Sequence, residues 1–315
     1  MEWLRKDKLF SHNSEWNWSK SHAQVPIIDT SPVDANEDIF RIYYNTRNRN
    51  GETLPSYIHV KLTEDITINY IHNKPISMLG EVGYFDDSGV MASAIVNHNT
   101  NKYLFYTGWN ISTKPSYRLA IGLCVSEDNG KTFNKYSNGP IMDRNHSEPI
   151  TCSQPFVMIE NDVWRMWYLS YTHWVSVNGK YEPCYNIKYA ESRNGLNWNI
   201  TNITCIDYLF ENEAIAVPNV WLENKTYYMM YSYRDSRNYR TSPERAYKLG
   251  LAISNDGIKW ERMDSSLVLA GKRKNWETIM NAYPNTISHK NIAYLFYNGN
   301  GFGQTGFGYA TRKIA

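Results

Sequence analysis

Five carboxylates in this chain stand just ahead of short apolar runs. Asp86 and Asp87 lie in Gly83-Tyr84-Phe85-Asp86-Asp87-Ser88-Gly89-Val90, Glu148 precedes Ser153-Gln154-Pro155, and Glu211 and Glu213 precede Ala216-Val217-Pro218. Making or breaking a glycosyl bond takes an acid paired with a base or a nucleophile, and two side-chain carboxyls are the usual pair. Glu213 is expected as general acid, and Asp86 or Asp87 as base or nucleophile. Arg47, Arg234 and Arg240 each follow an aromatic run, and a guanidinium fork holds a carboxylate, a phosphate or sugar hydroxyls. Flat rings stack on the apolar face of a sugar, which makes Trp109 and Trp174 candidates for substrate contact. Gln24, Gln154, His173 and Tyr283 are expected as further substrate-binding groups. Plainer readings stand beside these. Asp86-Asp87 can be an Asx turn or a strand-start cap, the glutamates solvated loop charges, the arginines ion pairs between units, and the tryptophans packing.

These residues are far apart in the chain, so something periodic must bring them together. One stretch recurs: Phe40-Arg41-Ile42-Tyr43-Tyr44, Tyr103-Leu104-Phe105-Tyr106, Trp164-Arg165-Met166-Trp167-Tyr168, Tyr227-Tyr228-Met229-Met230-Tyr231 and Tyr294-Leu295-Phe296-Tyr297. The closing tyrosines, Tyr44, Tyr106, Tyr168, Tyr231 and Tyr297, are 62, 62, 63 and 66 residues apart. A fixed period of this length marks a repeat architecture. Short aromatic runs bounded by polar residues read as strands buried on both faces. Upstream of most copies comes a small or polar stretch with proline, as in Gln24-Val25-Pro26, Gln154-Pro155, Val217-Pro218 and Tyr283-Pro284; the second copy, Met91-Ala92-Ser93, lacks it. Downstream, Asp128-Asn129-Gly130, Asn194-Gly195 and Asp256-Gly257 mark tight turns, because both residues of such pairs tolerate positive φ. Three to four strands per unit and five units predict an all-β, five-bladed propeller around a central funnel. Residues 1–20 are expected as an N-terminal extension. The blades fall at about 21–75, 76–140, 141–205, 206–270 and 271–315, with the last strand running to Ala315.

Composition narrows the function classes. The formal net charge is +2, from 33 basic and 31 acidic residues, which gives no bulk attraction to nucleic acid. No apolar run is long enough for a spanning helix, and the charged N-terminus lacks a signal-peptide core, so a cytoplasmic location is expected. The four cysteines show no metal-ligand spacing; no metal and no cofactor are expected.

Ser126-Glu127-Asp128-Asn129-Gly130-Lys131-Thr132-Phe133 matches the Asp-box of sialidases, a turn stabiliser on the outside of a blade. The five-fold unit with turns such as Ser254 to Trp260 resembles the five-bladed propellers of glycoside hydrolase families 43, 32 and 130, over roughly residues 20–315. Phe85 to Val90 is similar to the blade-two motif of the family-130 mannoside phosphorylases, and Glu213 stands where families 43 and 32 carry a general acid. Tyr106-Thr107-Gly108-Trp109 and Arg165 to Tyr168 resemble family-43-like proteins of bacterial surface-polysaccharide gene clusters. The resemblance implies action on a glycosyl bond, by hydrolysis, phosphorolysis or transfer, in surface-polysaccharide (O-antigen) or nucleotide-sugar metabolism. The ligand would be a sugar, phosphosugar or nucleotide-sugar. One position departs from the pattern. The blade-one Asp of families 43 and 32 is replaced by Val25 after Gln24. Either Asp86 or Asp87 takes over, or phosphate or another acceptor attacks, or the protein binds sugar without chemistry; an interaction scaffold is the remaining alternative.

Overall fold

The repeat folds as successive antiparallel meanders. The computed structural model describes residues 1–314; Ala315 lies outside the described residues. β1 (Glu2–Phe10) comes first. β2 (Ser21–Ile28), β3 (Ile39–Arg47), β4 (Thr53–Lys61) and β5 (Thr67–Ile71) form one meander, and β6 (Gly89–His98), β7 (Asn101–Ile111), β8 (Tyr117–Ser126) and β9 (Asn134–Lys135) the next. β10 (Cys152–Glu160), β11 (Val163–Val177), β12 (Lys180–Ser192) and β13 (Asn199–Ile206) follow, then β14 (Glu213–Glu223), β15 (Thr226–Asp235), β16 (Lys248–Ser254) and β17 (Glu261–Arg262). After β18 (Val268–Ala270) come β19 (Ala282–His289), β20 (Ile292–Asn298) and β21 (Phe307–Lys313). Hydrogen bonding groups these into four sheets, because a single parallel pairing, Thr53 with Gly89, fuses the first two meanders.

Residues 1–20 are more than an extension. β1 pairs antiparallel with β21 and parallel with β18, so the N-terminus completes the last sheet. Sequence alone hides this, since β1 is a largely polar strand in which only Trp3 and Phe10 are buried. Those two side chains anchor it in different clusters, Trp3 with Leu295 and Tyr297, Phe10 with Tyr44 and Phe307.

The innermost strands β2, β6, β10, β14 and β19 neighbour one another in cyclic order around an axis. The repeated aromatic run is the second strand of each meander, and its tyrosines Tyr44, Tyr106, Tyr168, Tyr231 and Tyr297 are fully buried. Apolar clusters fill the gaps between meanders: Phe105, Trp164 and Tyr168 form part of one, Tyr44, Phe296 and Phe307 of another. Burial on both faces is why the run carries no polar alternation.

Each inner strand is interrupted by a bulge at the same place. In four of them the residue before the proline is left-handed: Val25, Gln154, Val217 and Tyr283 have φ of 52, 46, 51 and 58°. That region is rare for any side chain and strained for valine. The residue after the core tyrosine of the preceding meander accepts the N–H at or beside the bulge. Asn298 Oδ1 takes Val25 N at 2.7 Å, Asn45 Oδ1 takes Ala92 N at 2.7 Å, Thr107 Oγ1 takes Gln154 N at 2.8 Å and Ser232 Oγ takes Tyr283 N at 2.7 Å. The third meander has Leu169 in that place, which cannot accept.

Asn298 makes the fullest of these latches. It is completely buried and also donates to Ala23 O at 2.7 Å and Gly306 O at 3.0 Å. Asn298→Ala strands buried backbone groups at the junction of the last and first meanders and is expected to cost about 2–3 kcal/mol of unfolding free energy. Equilibrium urea unfolding checks this; a loss below about 0.5 kcal/mol, the scale of an ordinary surface change, would show the latch to be dispensable.

Candidate functional site

The bulges aim side chains at one end of the axis, where a cavity of about 370 Å³ opens. Val25, Gln154, Val217 and Tyr283 line it from four inner strands and Met91 from the fifth. Arg47, Trp109 and Arg234 reach the wall from the ends of β3, β7 and β15. The β15–β16 connection adds Tyr239, Arg240 and Tyr247, and the β20–β21 connection adds Phe302. The structure therefore brings Gln24, Arg47, Trp109, Gln154, Arg234, Arg240 and Tyr283 together on one wall. It leaves two of the expected substrate-binding residues off it. Trp174 packs behind the wall on Tyr117 and Tyr171, at ring separations of 5.8 and 6.1 Å. His173 is exposed and turns toward Thr172 and Tyr208.

Sequence reasoning missed the tyrosines. Tyr117, Tyr171, Tyr185, Tyr239 and Tyr247 all line the cavity. A signal existed for two of them: Tyr185 and Tyr247, whose hydroxyls hydrogen-bond each other, are 62 residues apart, the repeat period itself. Burial pushes the Tyr117, Tyr171, Tyr185, Tyr239 and Tyr283 phenols above the ordinary tyrosine value. They are neutral hydrogen-bond donors at neutral pH.

The arginines are held without full neutralisation. Arg234 is 3% exposed; its guanidinium lies 3.6 Å from the Tyr239 ring centre. Its terminal nitrogens donate to Ser236 Oγ at 3.0 Å, Pro183 O at 3.2 Å and Tyr185 Oη at 3.4 Å, while Nε is buried with no acceptor. Gln24, 2% exposed, accepts from Arg47 Nη2 at 3.5 Å through Oε1, and its Nε2 also has no acceptor. Burial and the neighbouring Arg240 charge push Arg47 below the ordinary arginine value. Arg240 pairs with Glu182 at 3.1 Å; Arg47 and Arg234 make no ion pair among the described residues. His22 lies near Arg47, and burial, Arg47 and His12 push it down to about 4.

The expected catalytic carboxylates stand elsewhere, and this corrects their placement. Among the described residues the cavity wall carries no carboxylate. Asp86, fully buried, accepts from Tyr106 Oη at 2.8 Å and pairs with Lys135 at 2.6 Å. Glu148 does the same with Tyr168 at 2.8 Å and Lys188 at 3.0 Å, and Glu277 with Tyr297 at 2.9 Å and Arg5 at 3.3 Å. In the fourth meander Glu213, fully buried, pairs with Arg262 at 2.8 Å, which also holds Asp264, the acceptor of Tyr231 Oη. The group recurs in four meanders and ties the segment leading into each to its core tyrosine and to an outer strand. Asp87 accepts from Gly83 N at 3.0 Å and Ser88 Oγ at 2.8 Å, bonds within its own loop. Glu211 is exposed.

Two outcomes follow. Glu213→Gln breaks a buried ion pair and is expected to cost about 3 kcal/mol of stability, readable by chemical unfolding, without changing the cavity wall. Because His22 titrates lower in the folded chain than its ordinary 6.5, the unfolded chain takes up the proton first. Its contribution to stability is complete above pH 6.5 and is lost as the pH falls toward 4. His22→Asn, which tolerates the left-handed backbone there, is expected to flatten the fall in unfolding free energy across that window; an unchanged slope would remove His22 as its cause.

Comparison with known proteins places this geometry. No family model matches the chain. Among solved structures it resembles one described as a glycoside hydrolase, with TM-score 0.72 and 15% identity over 98% of this chain and 91% of that one. A thermostable family-43 glycoside hydrolase gives TM-score 0.65 and 15% identity, over 92% and 88%. A GH130 structure, from a family described as mannoside phosphorylases containing glycoside hydrolases that target beta-1,2 mannosidic linkages in Candida mannan, gives 0.63 and 12%, over 98% and 92%. At such identities the likeness is one of fold: the chain has the propeller-like fold of these enzymes. In sequence it is 30% identical over 311 residues to the uncharacterized protein Rv1502 of Mycobacterium tuberculosis, covering 98% of this chain and 99% of that one. This chain therefore belongs to the same family as the mycobacterial protein Rv1502.

Proposed function

We propose that this protein is a five-bladed propeller that binds a sugar in its axial mouth and acts on a glycosyl bond there. The cyclic order of five inner strands, one for each repeat, supports the blade count. The observation that carries the function is the make-up of the wall: Arg47 and Arg234, which make no ion pair among the described residues, stand with Trp109 and several phenols around one cavity. Positive charge and hydroxyl donors around an aromatic-lined cavity suit a ligand rich in oxygen. Apolar faces with a few convergent polar groups, in a space of about 370 Å³, suit a small saccharide. The fold likeness to structures described as glycoside hydrolases supports the same ligand class. In this reading Trp109 is the stacking platform, Arg47, Arg234 and Arg240 orient the ligand, and the phenols donate to its oxygens. The setting implied by the sequence resemblance is surface-polysaccharide or nucleotide-sugar metabolism.

A wall without carboxylates favours a second reading, binding without chemistry. The two separate in one experiment. Sugars, sugar phosphates and nucleotide-sugars are screened by thermal shift, and every compound that raises the melting temperature is followed for product. The enzyme reading expects a stabilising compound to be converted. The binder reading expects stabilisation without product. Both expect Trp109→Ala to weaken binding at least tenfold, and stabilisation that survives this change would place the ligand elsewhere.

A further inference from the structure

The geometry points to the kind of glycosyl bond the mouth handles: one that joins the anomeric carbon of a sugar to a phosphate. This rests on the reading of the mouth as a glycosyl site. When a sugar alcohol departs, its oxygen must be protonated, and a carboxyl does this in the usual pair. The described residues of the wall offer no carboxyl. A phosphate departs as an anion and requires positive charge and fixed donors in place of an acid. The wall offers those. Arg47 and Arg234 have no carboxylate partner, and Arg240 has one, Glu182. Arg234 is almost completely buried, with its charge at the cavity wall. A buried cation without a counter-ion is unfavourable, and an anionic ligand answers the charge.

The bond changes balance without a protein carboxylate. The bond from C1 to the phosphate oxygen breaks, and its electron pair stays on that oxygen. The hydroxyl oxygen of an acceptor, a second sugar or water, forms the new bond to C1. The acceptor proton passes to the phosphate oxygen freed from C1, which keeps the electron pair of the broken bond and so serves as the base. Nothing is oxidised or reduced. Run backwards with inorganic phosphate, the same step is phosphorolysis. Sugar 1-phosphates and nucleoside diphosphate sugars both carry this bond.

The test is calorimetric binding to the full chain with inorganic phosphate, inorganic pyrophosphate, glucose 1-phosphate, UDP-glucose, glucuronate and methyl glucoside. Arg47→Ala, Arg240→Ala and Trp109→Ala are measured alongside; Arg240 is exposed and Arg47 and Trp109 are partly exposed, so folding hangs on them less than on buried Arg234. The phosphate compounds are expected to bind and to weaken at least tenfold in each arginine variant. Trp109→Ala is expected to weaken glucose 1-phosphate but not inorganic phosphate. Preference for pyrophosphate and UDP-glucose over phosphate and glucose 1-phosphate assigns a diphosphate donor, and the reverse preference a monophosphate. Phosphate binding untouched by both arginine changes overturns the inference. So does Trp109-dependent binding of glucuronate or methyl glucoside without phosphate binding, a result that leaves the sugar-mouth reading standing. If none of the six compounds binds, both fall.

Discussion

An N–H buried at the axis of this ring must find an acceptor that no neighbouring strand can supply. Left unmet, each would cost about 1–3 kcal/mol. The chain meets the need in four of its meanders with a side chain placed directly after the core tyrosine and reaching into the next meander: Asn45, Thr107, Ser232 and Asn298. The acceptor is therefore an inter-meander tie as well as a hydrogen bond, and where present it holds the bulge of the next inner strand. The bulge turns Val25, Gln154, Val217 and Tyr283 left-handed and toward the cavity. Backbone strain of this kind persists only where the surroundings over-determine it, and here a following proline holds one side and, at three of the four, the latch the other. The peptide that closes the ring is thus the one that builds the mouth.

Repetition then separates scaffold from site. Asp86, Glu148 and Glu277 each lie 20 residues before the core tyrosine they bind, and each has its own cation. A group that recurs in this way serves the scaffold, holding a leading segment to an outer strand; the first meander lacks it, and Tyr44 Oη has no hydrogen-bond partner among the described residues. A ligand that is not five-fold symmetric must be read by positions that differ between units. Those are the inner-strand positions, occupied by Gln24 and Val25, Met91, Gln154, Val217 and Tyr283. Asp86, Glu148, Glu213 and Glu277, by contrast, are held by cations away from the cavity wall.

What was legible in the sequence follows the same division. The period could be read because strands buried on both faces leave unbroken aromatic runs, and the Pro-containing stretch could be read because it recurs beside them. The Asp-box turn was also legible: Asp128 Oδ1 accepts from Lys131 N and Thr132 N at 3.0 Å each, entirely within one loop. The wall residues at strand ends, such as Arg47, Trp109 and Arg234, followed from the period. The fate of Asp86 and Glu213 did not, because it depends on Lys135 and Arg262, which lie about 50 residues downstream on other strands. Nothing local to Phe85-Asp86-Asp87 distinguishes a carboxylate that faces the axis from one that faces a lysine. The role of β1 was hidden for a related reason: an outer strand needs few apolar residues, and its partner stands at the opposite end of the chain.

The charge balance links these points. The chain is nearly neutral, with 33 basic and 31 acidic residues, so a positive mouth cannot come from bulk composition. It comes from where the carboxylates are used. Asp86, Glu148, Glu213 and Glu277 are each matched to a lysine or arginine inside a meander, and they have no charge to spare for the axis. Arg47 and Arg234 face a cavity with low-dielectric, aromatic walls, where an unopposed charge acts more strongly than it would in water. The neutral phenols around them add donors and no negative charge. Such a mouth keeps its positive charge because the scaffold has already taken up the acids, and the proposed anionic ligand rests on that charge.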